Sequence, residues 1–260
     1  MIRTGTADHG RTGGPSAGAV QSPRLVVMGR QGSGKGTQCA RLATILDVAH
    51  IDVGDALRSE VHRRTPLGQA AERYVQEGRL LPDEMVTDVV LGQLGWAGSR
   101  GFILDGFPRT LPQAESLGDT VGAEGIDLVV NLAITPAAAL RRLTTRRVCA
   151  HCGSVTTIAT GMLSCSCCEG PLVRREDDTE FAIKRRLVTY ERQTRPVLEW
   201  YAVQGRLVTI DGGLGPDTVT RQVLGTVAGV ERVVARPVSQ ADVRHLPSDL
   251  GKRSLAVAPM

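Results

Sequence analysis

The sequence predicts an α/β fold, an open parallel sheet flanked by helices. Three observations carry that expectation. Short apolar runs that read as buried strands alternate with stretches of helical periodicity. A glycine-rich loop, Gly29 to Thr37, joins the first such strand to the first helix. Acidic residues Asp55, Asp105 and Asp211 fall at the ends of later apolar runs, where ligands of open α/β sheets bind.

The elements follow in order. Arg24 to Met28 is an apolar strand, and Gln38 to Leu46 places Cys39, Leu42, Ala43, Ile45 and Leu46 on one helix face. Between them, glycines allow backbone N–H groups to converge on an anion, and the helix adds the positive end of its dipole. The loop fits G-x-x-x-x-G-K, so the sheet is of the P-loop NTPase type. Lys35 is the phosphate-seeking lysine, while Gly36 stands where Ser or Thr usually serves Mg²⁺. Ala49 to Asp55 reads as a short strand ending in a turn, and Ala56-Leu57-Arg58 opens a helix. Residues 59–95 read as several helices, broken at Pro66 and at Gly78 to Pro82. Pro82-Asp83-Glu84 is a helix start with acids in its first turn. Gly101 to Gly106 and Asp127 to Leu132 are further buried strands. Pro136 to Arg147 is expected to be helical, with Arg142 and Arg146 on one face. Glu180 to Val203 reads as a long helix interrupted near Pro196, and Arg206 to Asp211 as the last strand.

Composition narrows the function. The net charge is +4, but residues 1–23 carry two Arg and one Asp, and residues 231–260 five basic and three acidic groups. The body between is therefore nearly neutral, and aromatics are only 3%, which disfavours a basic, base-stacking nucleic-acid surface. No apolar run is long enough to span a membrane. Residues 1–23 lack the apolar stretch of a secretory signal and are expected to be a disordered extension; residues 231–260 are expected to be a flexible tail.

Two constellations carry chemistry. Arginine outnumbers lysine heavily, and Arg141, Arg142, Arg146, Arg147, Arg174, Arg175, Arg185 and Arg186 cluster in the second half. Such charges beside a phosphate loop suit phosphoryl transfer, although any one of them can be a solvated surface residue. Asp105, at the end of an apolar strand, suits a carboxylate that holds Mg²⁺ through water. Cys149-x2-Cys152 and Cys165-x2-Cys168 form two knuckles that four thiolates can close around Zn²⁺. Cys167 and His151 are substitute ligands of poorer spacing. The segment between the knuckles is small and polar, so the metal reads as structural.

The order of these motifs resembles adenylate kinase, a nucleoside monophosphate kinase family, in its long-lid, zinc-binding bacterial form. The resemblance rests on Gly-Lys-Gly-Thr at 34–37, Val53 to Arg58, and Asp105-Gly106-Phe107-Pro108-Arg109-Thr110-Leu111-Pro112-Gln113-Ala114. Arg175-x-Asp177-Asp178 and Arg186-Leu187 complete it. It implies a core at 24–230 with inserts at 52–81 (AMP-binding) and 145–178 (zinc lid). It implies that Gly32, Ser33, Gly34, Lys35, Gly36, Thr37, Arg142, Val155, Thr156 and Leu214 hold ATP. Val53, Arg58, Arg79, Leu80, Leu81, Gly106, Phe107, Pro108, Arg109, Gln113, Arg175 and Arg186 would hold AMP. Lys35, Arg109, Arg142, Arg146, Arg175 and Arg186 would be catalytic. Asp55 and Asp105 would serve Mg²⁺ through water, and Cys149, Cys152, Cys165 and Cys168 would bind structural Zn²⁺. The implied reaction is ATP plus AMP to two ADP, in a cytoplasmic monomer with neither nucleic-acid nor membrane partners. Val53 stands where the family usually carries Thr or Ser, and Thr156 where it carries an aromatic. A kinase using GTP as donor or UMP or CMP as acceptor, and a non-catalytic zinc-ribbon module on a nucleotide-binding scaffold, are the alternatives.

Overall fold

A computed structural model describes residues 22–97, 100–122, 125–158 and 164–230. Of the expected extension and tail, all but Ser22 and Pro23 lie outside the described residues. The elements are β1 (Arg24–Met28), α1 (Lys35–Leu46), β2 (Ala49–Asp52), α2 (Val53–His62), α3 (Pro66–Glu77), α4 (Asp83–Ala97), β3 (Phe102–Asp105), α5 (Leu111–Val121), β4 (Leu128–Ala133) and α6 (Pro136–Thr145). Then come β5 (Arg146–Cys149), β6 (Val155–Thr157), β7 (Leu172–Val173), α7 (Glu180–Thr189), a π-helical segment (Tyr190–Thr194), α8 (Arg195–Val203), β8 (Leu207–Asp211) and α9 (Pro216–Ala228).

Five strands form one parallel sheet in the order β2-β3-β1-β4-β8. All five match apolar runs read from the sequence. Both faces are covered, as parallel sheets require. Along β1 the side chains alternate between two cores. Val26 and Met28 join Ile51, Leu104, Phe107, Val197 and Tyr201 on one side. Leu25 and Val27 join Leu42, Ile103, Val130, Ile210 and Val223 on the other. The chain leaves the central β1 to both sides, so the loop after β1 lies at the switch point of the sheet.

Helix starts are set by side chains. Asp52 caps α2, and Thr65, Thr110, Thr135 and Thr179 cap α3, α5, α6 and α7, each accepting a backbone N–H three residues on. Proline in the first turn of α3, α5 and α6 adds pre-set backbone.

Two expectations need correction, and the interruption expected near Pro196 is given its place. Asp55 lies in the first turn of α2; the acid that ends β2 is Asp52. The helix from Pro136 ends at Thr145, and Arg146 opens strand β5 with extended backbone, so Arg142 and Arg146 do not share a helix face. The long C-terminal helix is interrupted by the π-helical segment before Pro196, and Pro196 then sits in the first turn of α8. Strand β5 pairs antiparallel with β6 and β7 in a separate three-stranded sheet.

Candidate functional site

The loop after β1 is a close-packed anion cradle. At Gly29, with φ of 140°, a Cβ would lie 2.5 Å from the Leu132 carbonyl oxygen, so no other residue fits. Gly34, with φ of 95°, is the left-handed residue that turns the loop into α1. Lys35 folds back over the loop and donates from Nζ to the carbonyls of Gly29 (2.8 Å) and Arg30 (3.1 Å). Burial lowers its pKa, and the Asp105 carboxylate opposes that shift. The buried Ser33 hydroxyl has no hydrogen-bond partner among the described residues, as suits a group that meets an anion. Arg142 reaches the cradle from α6, donating to the carbonyls of Gly32 (3.2 Å) and Gly212 (2.9 Å). Gly36 brings α1 against the end of β3; a Cβ there would lie 3.4 Å from Asp105 Oδ2. Thr37 is exposed in the first turn of α1, and Leu214 is exposed in the turn after β8.

A second group of cations faces this cradle. The Asp52 carboxylate accepts the Asp55 N–H (2.8 Å) and stands in register with Asp105 on the neighbouring strand. Burial, with help from Asp105 and Asp55, pushes its pKa up to about 6. Asp55 itself accepts from Arg58 Nε (3.1 Å), and Arg175 Nη2 lies 3.6 Å away. Arg109 donates from Nε to the Gly106 carbonyl (2.6 Å). Its guanidinium pKa is lowered by burial and then by the facing Arg186. Arg175 is lowered likewise, by burial and then by Arg58 and Arg146. These cations repel one another, and a multiply charged anion between them removes that cost.

Two acids organise the cations. Fully buried Asp178 accepts from Arg146 Nε (2.7 Å) and Nη2 (2.5 Å) and from Arg186 Nη1 (3.2 Å). Asp177 accepts from Arg186 Nη2 (2.5 Å). Charge-assisted pairs of this kind fix direction as well as distance. Asp178→Ala strips the largely buried Arg146 guanidinium of its carboxylate and leaves Arg186 with Asp177 alone. It is expected to destabilise the protein by about 3 kcal/mol. In a differential scan this lowers Tm by about 6 °C or more; a shift under about 1 °C would contradict that.

Gln113 is placed differently from a free base reader. Its Oε1 accepts the Arg109 backbone N–H (2.7 Å), and its Nε2 donates to Asp83 Oδ1 (2.8 Å). Asp83 also accepts from Thr110 Oγ1 (3.0 Å). These two bonds use one N–H and one lone pair of the Gln113 amide, so a second donor and a second acceptor site remain for a nucleobase. The Arg109 carbonyl accepts from Thr194 Oγ1 (3.1 Å), so the π-helical segment also braces this turn. Phe107 and Pro108 are buried, joined by a cis peptide. Val53 and Leu81 are buried in the core, whereas Arg79 is exposed and lies over the Tyr74 ring at 5.0 Å. Leu80 is half-buried between them in the chain. Sequence reading missed the roles of Asp83, Asp52 and Thr194; of these only Asp83 carried a signal, as a helix-start acid.

The four knuckle cysteines converge. Their sulfurs all lie within 4.8 Å of one another, with Cys149 to Cys168 at 3.5 Å and Cys152 to Cys165 at 3.6 Å. A tetrahedron of thiolates around Zn²⁺ has edges of about 3.8 Å, so the set fits zinc with little movement. Backbone N–H groups prepare the sulfurs. That of Cys167, first among them, holds the Cys165 thiol down at about 6, and that of Cys152 lowers Cys149. At Cys152 a Ser154 N–H favours the thiolate, but desolvation and bonds from the other three sulfurs push the thiol up to about 12. His151 and Cys167 are outside the set. Val155 and Thr156 lie on β6, the first exposed and the second half-buried.

A P-loop at the switch point of a parallel sheet, faced by arginines, defines a nucleotide-phosphate-binding α/β protein. A family model described as adenylate kinase matches residues 27–206. The chain is 38% identical to an adenylate kinase of Acetivibrio thermocellus over 215 residues, covering 80% of this chain and 99% of that protein. It is 42% identical to one of Desulforudis audaxviator (78% and 98%) and 41% identical to one of Methanocella arvoryzae (78% and 98%). The chain belongs to the adenylate kinase family. No helix among the described residues is long and apolar enough to cross a membrane.

Proposed function

We propose that the chain transfers a phosphoryl group reversibly from ATP to AMP, giving two ADP, and that the residues above divide between two nucleotide sites. The observation that carries this is the meeting of two sets of cations. Lys35 and Arg142 belong to the cradle, and Arg58, Arg109, Arg175 and Arg186 face it. A lone triphosphate needs only the first set; a second phosphate acceptor explains the second.

The chain's own work is positioning and neutralisation. Gly32 to Thr37 hold the donor phosphates by backbone N–H groups, and Lys35 turns from the loop carbonyls to the transferring group. Arg58 and Arg109 grip the acceptor phosphate, which is itself the nucleophile, so no general base is needed. When phosphate enters, Arg58 and Arg175 exchange Asp55 for it, which frees the Asp55 carboxylate. Asp105 and Asp55 would then hold Mg²⁺ through water, and the ion supplies further charge neutralisation between the phosphates. The buried Asp105 beside Gly36 fits that role directly. Segments 52–81 and 145–178 close over the two nucleotides and exclude water, which protects ATP from hydrolysis. Zinc on Cys149, Cys152, Cys165 and Cys168 stiffens the second segment.

A coupled assay of ADP formation over a grid of ATP and GTP with AMP, UMP and CMP tests this. ATP with AMP is expected to be fastest by at least about tenfold, since a polar base edge that finds no partner is strongly rejected. Turnover with no pair would remove the enzyme reading, and a preference for UMP or CMP would remove the acceptor assignment.

A further inference from the structure

We propose that Cys39, His50 and Asp105 form a second metal site, selective for a thiophilic divalent ion of the Zn²⁺ class and separate from the four-cysteine set. The three residues come from adjacent elements. Cys39 lies on the second turn of α1, His50 on β2, and Asp105 ends β3. Their ligand atoms all lie within 4.8 Å of one another. His50 Nε2 is 3.8 Å from Asp105 Oδ2. That nitrogen is buried, makes no hydrogen bond of normal length among the described residues, and faces the Asp105 carboxylate from just beyond that range. Cys39 is wholly buried, and Asp105 is only 5% exposed.

The donor set decides the ion. Sulfur, imidazole nitrogen and one carboxylate suit Zn²⁺, whereas Mg²⁺ demands oxygen ligands and keeps most of its water. Tetrahedral Zn²⁺ with these ligands has donor–donor edges of about 3.5 Å. The observed spacing therefore needs a contraction of no more than about 1.3 Å, within reach of rotamer adjustment. Three protein ligands leave one position for water. The thiol proton leaves to solvent as the ion binds, and the thiolate and carboxylate together balance the ion's charge.

The site has a functional consequence that rests on the role proposed for Asp105. An ion bound there takes the carboxylate that Mg²⁺ needs. It also sits beside Lys35, whose charge Asp105 partly offsets. A thiophilic ion at this site is therefore an inhibitor of the kinase, and rising Mg²⁺ opposes it.

The test uses the full chain with its four-cysteine set loaded with one equivalent of Zn²⁺. Co²⁺ is then titrated while the thiolate-to-cobalt absorption band is followed. The parent is expected to take one further Co²⁺ with that band. In Cys39→Ala and in His50→Gln, both checked by thermal melting, affinity is expected to fall at least about tenfold. Buffered free Zn²⁺ for half-inhibition of ADP formation is expected to rise by the same factor. No second ion in the parent, or one held as tightly in Cys39→Ala as in the parent, overturns the site. If the second ion is lost in both variants while inhibition is unchanged, the site stands; the inhibitory consequence, and with it the Mg²⁺ role of Asp105, is overturned.

Discussion

Arg109→Ala is expected to lower kcat by about a thousandfold or more while leaving the chain folded. A guanidinium that neutralises a transferring phosphoryl group is worth on the order of 10³–10⁵ in rate. Arg109 is placed for that work and for little else. Its backbone is held at two points, by Gln113 Oε1 and by Thr194 Oγ1. Among the described residues its guanidinium makes one hydrogen bond, to the Gly106 carbonyl, and it feels the repulsion of Arg186 against the weaker attraction of Asp105 and Asp52. Removing it costs one hydrogen bond of about 1 kcal/mol but also relieves a repulsion. Tm should therefore move by no more than about 4 °C. Arg109→Lys should recover little of the rate, because an ammonium cannot offer the two-pronged donor geometry that a phosphate accepts. Steady-state kcat and KM, read with a thermal melt of the same samples, check this. A loss under about tenfold with an intact fold would show that Arg109 does not touch the reacting phosphates.

Most of the parts behind that expectation are legible in the amino-acid sequence, and the reason is local. The P-loop, the five sheet strands and both cysteine knuckles are written in contiguous residues, where period and spacing carry the signal. Long-range pairing is not. Nothing near Gln113 says that Asp83, thirty residues earlier, holds its amide. Nothing near Arg146 says that Asp178 will draw it out of a helix. Arg141 to Arg147 has ordinary helical residues throughout, and propensity alone continues the helix. The chain turns to strand at Arg146 because β5 has partners on both edges and Arg146 has a buried carboxylate to reach. The break at Tyr190–Thr194 is likewise a tertiary effect. Tyr190 packs in the core under Arg30, and Thr194 turns its hydroxyl to the Arg109 carbonyl. The Cys39, His50 and Asp105 trio is scattered over three elements and has no spacing motif at all.

Stripping zinc from the four-cysteine set is expected to unfold the β5-β6-β7 sheet and to lower Tm by about 10 °C or more. The sheet cannot hold itself together by burial. Its strands have four, three and two residues. Two of its larger apolar side chains, Val155 and Val173, are 47% and 45% exposed. Its strands bury only Cys149, which packs with the neighbouring buried Cys165, so the sulfur cluster stands in for an interior. Without a cation, nothing draws the four sulfurs together, and no apolar core takes its place. Structural Zn²⁺ on four cysteines contributes on the order of 10 kcal/mol to folding in isolated modules. Only part of that reaches the whole chain, because a small sheet can open locally while the parallel sheet stays intact. Several kcal/mol felt globally correspond to the stated shift in Tm at this chain length. Hydrogen exchange separates the two levels: amides of 146–157 and 165–173 should lose protection on chelation, whereas those of β1, β3 and β4 should not. Cys165→Ser should behave like chelation, since it removes one of the two buried sulfurs. Turnover of the zinc-free protein at low temperature should fall less than its stability does, because Lys35, Arg58 and Arg109 lie outside that sheet. A zinc-free preparation that melts at the parent temperature, with 146–157 still protected, would mean that the sheet is held by something other than its metal.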